Sequence, residues 1–184
     1  MKNALFILFL FISGTTNAQH EEHLKADTAT QQPKAKSPHT EAMAIIGNNH
    51  IHVDYSSPSV KGRQIWNGLV AYKQVWSAGA HNATSINFSE DVLVEGRSIS
   101  KGKYGFFIIP NKDQWTLILN KNWNMHLADN YNEADDVIRI TSKPIKNLTL
   151  KEALTYEISE TGKNMGVIEM SWEYLRVSLK FKNK

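Results

Sequence analysis

From Met43 onward the chain is a succession of short runs rich in Val, Ile, Phe, Tyr and Thr, each broken within a few residues by Gly, Asn or Pro. Runs of that length suit strands and are too short for packed helices, and the punctuation supplies tight turns, so the chain is confined to an antiparallel β fold. Strands are expected near Met43–Ile46, His50–Tyr55, Thr84–Phe88, Val92–Glu95, Lys103–Ile109, Trp115–Asn120, Val137–Ser142, Leu150–Ser159, Val167–Trp172 and Leu175–Phe181. The first two form a hairpin across Gly47-Asn48-Asn49, because Asn and Gly accept the left-handed conformations such turns demand. The expected architecture is an all-β, jelly-roll-like antiparallel sandwich of about 9–10 strands. Strand alternation puts Trp115, Leu117 and Leu119 on one face, and likewise Ile168, Met170 and Trp172, so Trp115 and Trp172 belong to the core.

The chain ahead of this pattern reads differently. Lys2, the apolar run Ala4–Ile12 and the small-residue ending Thr16-Asn17-Ala18 form a secretory signal, residues 1–18, cleaved to leave Gln19 at the mature start. The apolar run falls short of the roughly 20 residues that span a bilayer, and no second one follows, so the mature protein is expected to have no transmembrane segment and to be periplasmic or secreted. Residues 19–42 are polar, contain two prolines and show no apolar period, so they are expected to be a disordered linker before a domain at 43–184. Histidines 20, 23 and 39 in this stretch read as polar filler.

Composition removes several classes of function. With no cysteine, there are no disulfides, iron–sulfur clusters, thiolate zinc sites or thiol nucleophiles. Without Lys2 the chain carries 20 Lys and Arg against 18 Asp and Glu, and no stripe of basic residues follows a face, so nucleic acid is not an expected partner. No serine sits in a G-x-S-x-G elbow, and Gly102-Lys103-Tyr104-Gly105 opens a strand where a phosphate cradle would need to open a helix.

One segment departs from the strand pattern. YSSPSVKGRQIWNGLVAYKQVWSAGAHNAT, from Tyr55 to Thr84, has about thirty residues, a length that compact domains keep mostly for functional loops. Its Tyr55, Arg63, Trp66, Trp76, His81 and Asn82 lie among glycines. Flat apolar faces for stacking, a planar fork of donors and backbone open to close approach suit a small polar ligand such as a glycan or peptide fragment, with no cofactor required. The alternative is an Ω-loop whose tryptophans plug one end of the sandwich. A second rim is NKNWNMHLADNYNE, residues 120–133, with Trp123, His126, Asp129 and Tyr131. It would share a groove with the first if both occupy one end of the sandwich.

A metal-dependent hydrolase is the enzymatic alternative. His50, His52 and Asp54 alternate along one strand and project from one face, and His81 or His126 would complete a site for zinc or another transition metal. A structural envelope module with Trp66 and Trp76 fully buried is the third reading. Composition and spacing leave the oligomeric state open.

The motifs YSSPSVKGRQIW, VWSAGAHNATSINFS, VEGRSISKGKYGFFIIP and WEYLRV, in that order, closely resemble the bacterial exported family catalogued as domain of unknown function 2911. The resemblance spans about Met43 to Phe181 and implies an exported all-β domain with no established activity. Asp54, Tyr55, Ser56, Pro58, Gly62, Arg63, Trp66, Trp76, Gly79, Ala80, Ala83 and Thr84 match its pattern. Ser77 stands where the family commonly has arginine, and His81-Asn82 replaces a common asparagine–glutamate pair.

Overall fold

The computed structural model describes residues 37–184. The expected signal and most of the expected linker, with histidines 20 and 23, lie outside the described residues. Ten strands follow in order: β1 His39–Ile46, β2 Asn49–Ser56, β3 Ser85–Phe88, β4 Val92–Val94, β5 Arg97–Ile99, β6 Gly102–Ile109, β7 Trp115–Asn120, β8 Asp136–Ser142, β9 Ile145–Gly162 and β10 Met165–Asn183. A 3₁₀ turn, Glu133–Asp135, precedes β8.

Every strand pair is antiparallel. A six-stranded sheet runs β1-β2-β3-β6-β7-β8 and a four-stranded sheet runs β5-β4-β10-β9. Alternation on both sheets feeds one core. Ile51, Val53, Ile86, Phe106, Trp115, Leu117 and Leu119 from the first meet Val92, Leu154, Tyr156, Ile168, Met170, Trp172 and Leu179 from the second. The sandwich expected from the sequence is present, and Trp115 and Trp172 are buried in it.

β9 starts at Ile145, five residues before its expected start, and three further differences from expectation each have a physical reason. β1 begins at His39, inside the stretch expected to be linker. Its first half, HTEA, lies at a sheet edge with alternate side chains in solvent, so it needs no apolar period, and it is registered by His39↔Ser56 through Ala42↔Val53. β5 has three residues, too few to show a period. The two late strands are one strand, β10, because Glu173 takes a left-handed φ of 55° and makes a bulge where the pattern suggests a break.

β9 and β10 are the longest strands, and β9 forms an edge of its sheet. The chain leaving β2 crosses to that edge. Val60 N–H donates to the Glu152 carbonyl at 2.7 Å and Leu154 N–H to the Pro58 carbonyl at 2.9 Å, so residues 58–60 pair with β9. The long segment therefore starts on one sheet, is anchored on the other and returns to β3.

Candidate functional site

Residues 57–84 form an interrupted strand with two excursions. Val60-Lys61-Gly62-Arg63 is a turn closed by Arg63 N–H to the Val60 carbonyl at 3.0 Å, with Lys61 and Gly62 both left-handed (φ 49° and 67°), the type I′ pattern. Trp76 then pairs with Ile108 of β6 through two backbone bonds of 2.8 and 2.9 Å, and Lys73 N–H reaches the Pro110 carbonyl at 2.8 Å. These residues continue along β6 the position that β3 holds lower down. Residues 77–83 bulge out between the two pieces, and Thr84 N–H closes the bulge on the Ser77 carbonyl at 3.1 Å.

The two loops singled out in the sequence meet. Asn82 bridges to His126, Ala83 N–H donates to the Met125 carbonyl at 3.0 Å, and Leu127 N–H donates to the His81 carbonyl at 2.6 Å. Residues 120–133 can cross the outer face of the six-stranded sheet because Gly105 lies beneath them. A Cβ there would sit 2.8 Å from the Asn122 carbonyl oxygen and 3.2 Å from the Trp123 Cα. Phe107 and Ile118 on that outer face are covered by Ala83 and Met125, so both faces of β6 and β7 are buried at this end.

Four tryptophans converge under the long segment. Trp66 is central, with its ring 4.5 Å from Trp115, 5.8 Å from Trp76 and 5.9 Å from Trp172, while Trp76 stacks on Trp172 at 5.8 Å with 23° between planes. Trp66 is buried, as the plug reading requires. Trp76 is half-buried and its Nε1 donates to the Gly79 carbonyl at 3.0 Å, which fixes the ring's rotation.

Above Trp76 and Trp172 opens a cleft of about 630 Å³. Pro58, Leu69, Val70 and Leu127 form apolar walls, and Lys61, Arg63 and His81 bring polar groups to the lining. Among the described residues no Asp or Glu lines it. Arg63 donates from Nε to the Val60 carbonyl at 3.1 Å and from Nη2 to the Ser59 carbonyl, so its guanidinium is held by its own turn. Lys61, His81 and Leu127 all line this cleft and are all non-glycine residues at positive φ (49°, 60° and 46°). Each such conformation costs about 1–2 kcal/mol and persists only where surrounding contacts impose it. The Trp172 indole N–H is buried without an acceptor, as is that of Trp66.

The ligand residues named from sequence therefore separate. Arg63, Trp76 and His81 line the tryptophan cleft, and Trp66 lies beneath it as packing. Tyr55, Asn82 and Trp123 line a second, narrower cleft of about 110 Å³ on the outer face of the six-stranded sheet, together with His39, Asp54, Ser85 and Lys103. Tyr55 is mostly interior there: its ring packs edge-on against Tyr156 at 4.7 Å and its hydroxyl accepts from the Tyr156 N–H at 3.3 Å. Trp123 is partly exposed, and the Lys103 ammonium lies 4.2 Å from the centre of its ring. Ser77 is buried with its hydroxyl unpaired.

His50, His52 and Asp54 do share the outward face of β2. Asp54 is engaged elsewhere, at 2.7 Å from His39 Nε2 and 3.8 Å from Lys103 Nζ. His126 pairs with Asp129 at 2.9 Å. Among the described residues no three His, Asp or Glu side chains converge as a metal-holding group.

A family model described as "Protein of unknown function (DUF2911)" matches residues 37–181. The chain belongs to the DUF2911 family. No curated protein matches it, and no solved structure does. The DUF2911 match starts at Ser37, in agreement with a β1 that begins before Met43.

Most of the cleft lining in this DUF2911 member was not foreseen as ligand contacts, Pro58, Lys61, Leu69 and Leu127 among it. The Lys61-Gly62 pair is a legible turn signal. Leu127 has none, because its place depends on the backbone bond to His81.

Proposed function

We propose that this DUF2911 domain is a ligand-binding module whose site is the tryptophan cleft. The observation that carries the reading is the meeting of three strained, non-glycine residues, Lys61, His81 and Leu127, around one concave apolar surface floored by stacked indoles. Packing alone would be served as well by relaxed backbone and a closed surface. The volume lies within the roughly 300–1,000 Å³ typical of small-molecule sites. A small glycan or peptide fragment stacks on the free part of Trp76, and Arg63, pre-oriented by its two carbonyl bonds, gives direction. The signal in residues 1–18 supports a periplasmic or secreted setting.

The test is ligand screening by intrinsic fluorescence, since two tryptophans line the cleft and two more pack beneath them. A bound ligand shifts emission in the wild type and loses its effect in Leu69→Arg, which fills the mouth from an exposed position. Ligands that bind both proteins equally would remove the cleft from the reading.

A further inference from the structure

The lining of the tryptophan cleft is asymmetric in a way that specifies its ligand. Its floor and walls are largely apolar, made chiefly by Pro58, Leu69, Val70, Trp76, Leu127 and Trp172. Among the described residues the formal charges on the lining are those of Lys61 and Arg63, two residues apart on one type I′ turn, so both cations stand at one end of the cleft. A carboxylate bound to that turn is that of Glu152, whose Oε1 accepts from the backbone N–H of Lys61 at 2.8 Å and not from its ammonium. No ion pair within 4.0 Å engages Lys61 or Arg63 among the described residues.

From this arrangement we infer that the cleft takes an amphiphilic carboxylate, with an apolar ring or chain laid on Trp76 and its carboxylate held by Lys61 and Arg63. The inference rests on the binding function proposed above and sharpens it. A neutral sugar would leave most of its hydroxyls facing Pro58, Leu69, Val70 and Leu127, and each hydroxyl buried without a partner costs about 1–3 kcal/mol. An apolar body avoids that cost. The carboxylate in turn answers two cations that would otherwise repel each other across a short turn. Arg63 Nη1, the guanidinium nitrogen that the turn leaves free, is the donor available to it.

A free acid and the C-terminus of an apolar peptide share this chemistry, and matched probes distinguish them. Titration calorimetry and tryptophan fluorescence are run with 3-phenylpropionate, 3-phenylpropionamide, and a tripeptide ending in phenylalanine with a free or an amidated C-terminus. The expected result is that each acid binds at least about tenfold more tightly than its amide, as a charge-assisted hydrogen bond implies. The preference for acid over amide shrinks several-fold in Lys61→Gln and at raised salt. Tighter binding of the free-acid tripeptide than of phenylpropionate would name a peptide end as the source, and the reverse a small acid.

Equal binding of acid and amide would overturn the carboxylate assignment and leave the cleft as a binding site. Binding of neither probe by a protein that folds normally by circular dichroism would overturn both. Lys61 is exposed and its backbone bond is independent of its side chain, so Lys61→Gln keeps the fold. Arg63→Gln is the second variant: an acid preference that survives in both would also overturn the assignment.

Discussion

The Tyr156 hydroxyl donates to the Ala78 carbonyl at 2.7 Å, tying the middle of β9 to the first residues of the 77–83 bulge. Ala78 is fully buried and left-handed at φ 53°, and its carbonyl also accepts from Thr84 Oγ1 at 3.0 Å. One carbonyl thus joins the four-stranded sheet, the bulge and the start of β3. The bulge carries Gly79, Ala80 and His81 to the cleft, so the shape of the cleft depends on this bond.

Tyr156→Phe keeps the ring and removes the donor. It is expected to cost about 1–2 kcal/mol, the net value of a buried hydrogen bond whose acceptor retains a second donor. Urea denaturation measures the loss. Amide exchange should also quicken at Thr84, whose N–H closes the bulge on Ser77, and at Ala83, whose N–H joins it to Met125, more than in the β9–β10 ladder.

Alkaline pH should act on the same bond. Burial raises the Tyr156 phenol well above its ordinary value, and burial followed by the bond to Asp136 pushes Tyr131 up to about 12. A phenol whose folded pKa exceeds its unfolded one contributes stability that is complete below pH ~10 and is lost as pH rises toward the folded value. Thermal midpoints are therefore expected to be insensitive to these phenols below pH ~10 and to fall above it, more steeply in the wild type than in a Tyr131→Phe, Tyr156→Phe double variant. A parallel fall in both proteins would assign the alkaline loss to other groups.

The sequence was readable wherever local pattern alone decides structure. The alternation in β2 follows side-chain period, β6 and β7 read as short apolar runs buried on both faces, and the first hairpin follows Gly47 and Asn48. His39–Ala42 was hidden because an edge strand half in solvent looks like polar linker, even though His39 is held to Asp54 at 2.7 Å. The cleft was legible only in part. Arg63, Trp76 and His81 stood out as residue types, but the pairing of His81 with Leu127 is made by backbone atoms from loops about forty-five residues apart, and no periodicity encodes that. The separation of Trp66 into the floor and Trp76 into the lining depends on which indole lies over Trp115 and which over Trp172.

That separation gives unequal mutational costs. Trp66→Ala removes a buried ring that contacts three other indoles and is expected to destabilise the fold by about 3–5 kcal/mol. Trp123→Ala removes a partly exposed ring that Lys103 overlies, and should stay within about 0.5–1 kcal/mol of the wild type. Chemical denaturation of both variants checks the contrast, and similar costs would contradict the assignment of Trp66 to the core.

At the far end of the sandwich Asn49 does for the turns what Ala78 does for the bulge. Its side chain is fully buried. Oδ1 accepts from Ser89 N–H at 3.0 Å and Glu90 N–H at 3.2 Å, and Nδ2 donates to Asn183 Oδ1 at 3.0 Å. Asn183 in turn donates to the Ile46 carbonyl at 2.6 Å, so one side chain couples the first hairpin, the β3–β4 turn and the C-terminal strand. Asn49→Ala strands two backbone donors and one amide acceptor, each worth about 1–3 kcal/mol when left unpaired and dry, and is expected to cost about 2–4 kcal/mol after water enters. Asn49→Asp preserves the acceptor toward both amides, sets an oxygen against Asn183 Oδ1 in place of the donor, and adds a buried carboxylate that the two amide N–H groups face. It should retain most of the stability, and urea midpoints ordered wild type, Asp, Ala are the expected result. An Asp variant as unstable as the Ala one would show that the bond to Asn183, and not the capping of Ser89 and Glu90, holds this end together.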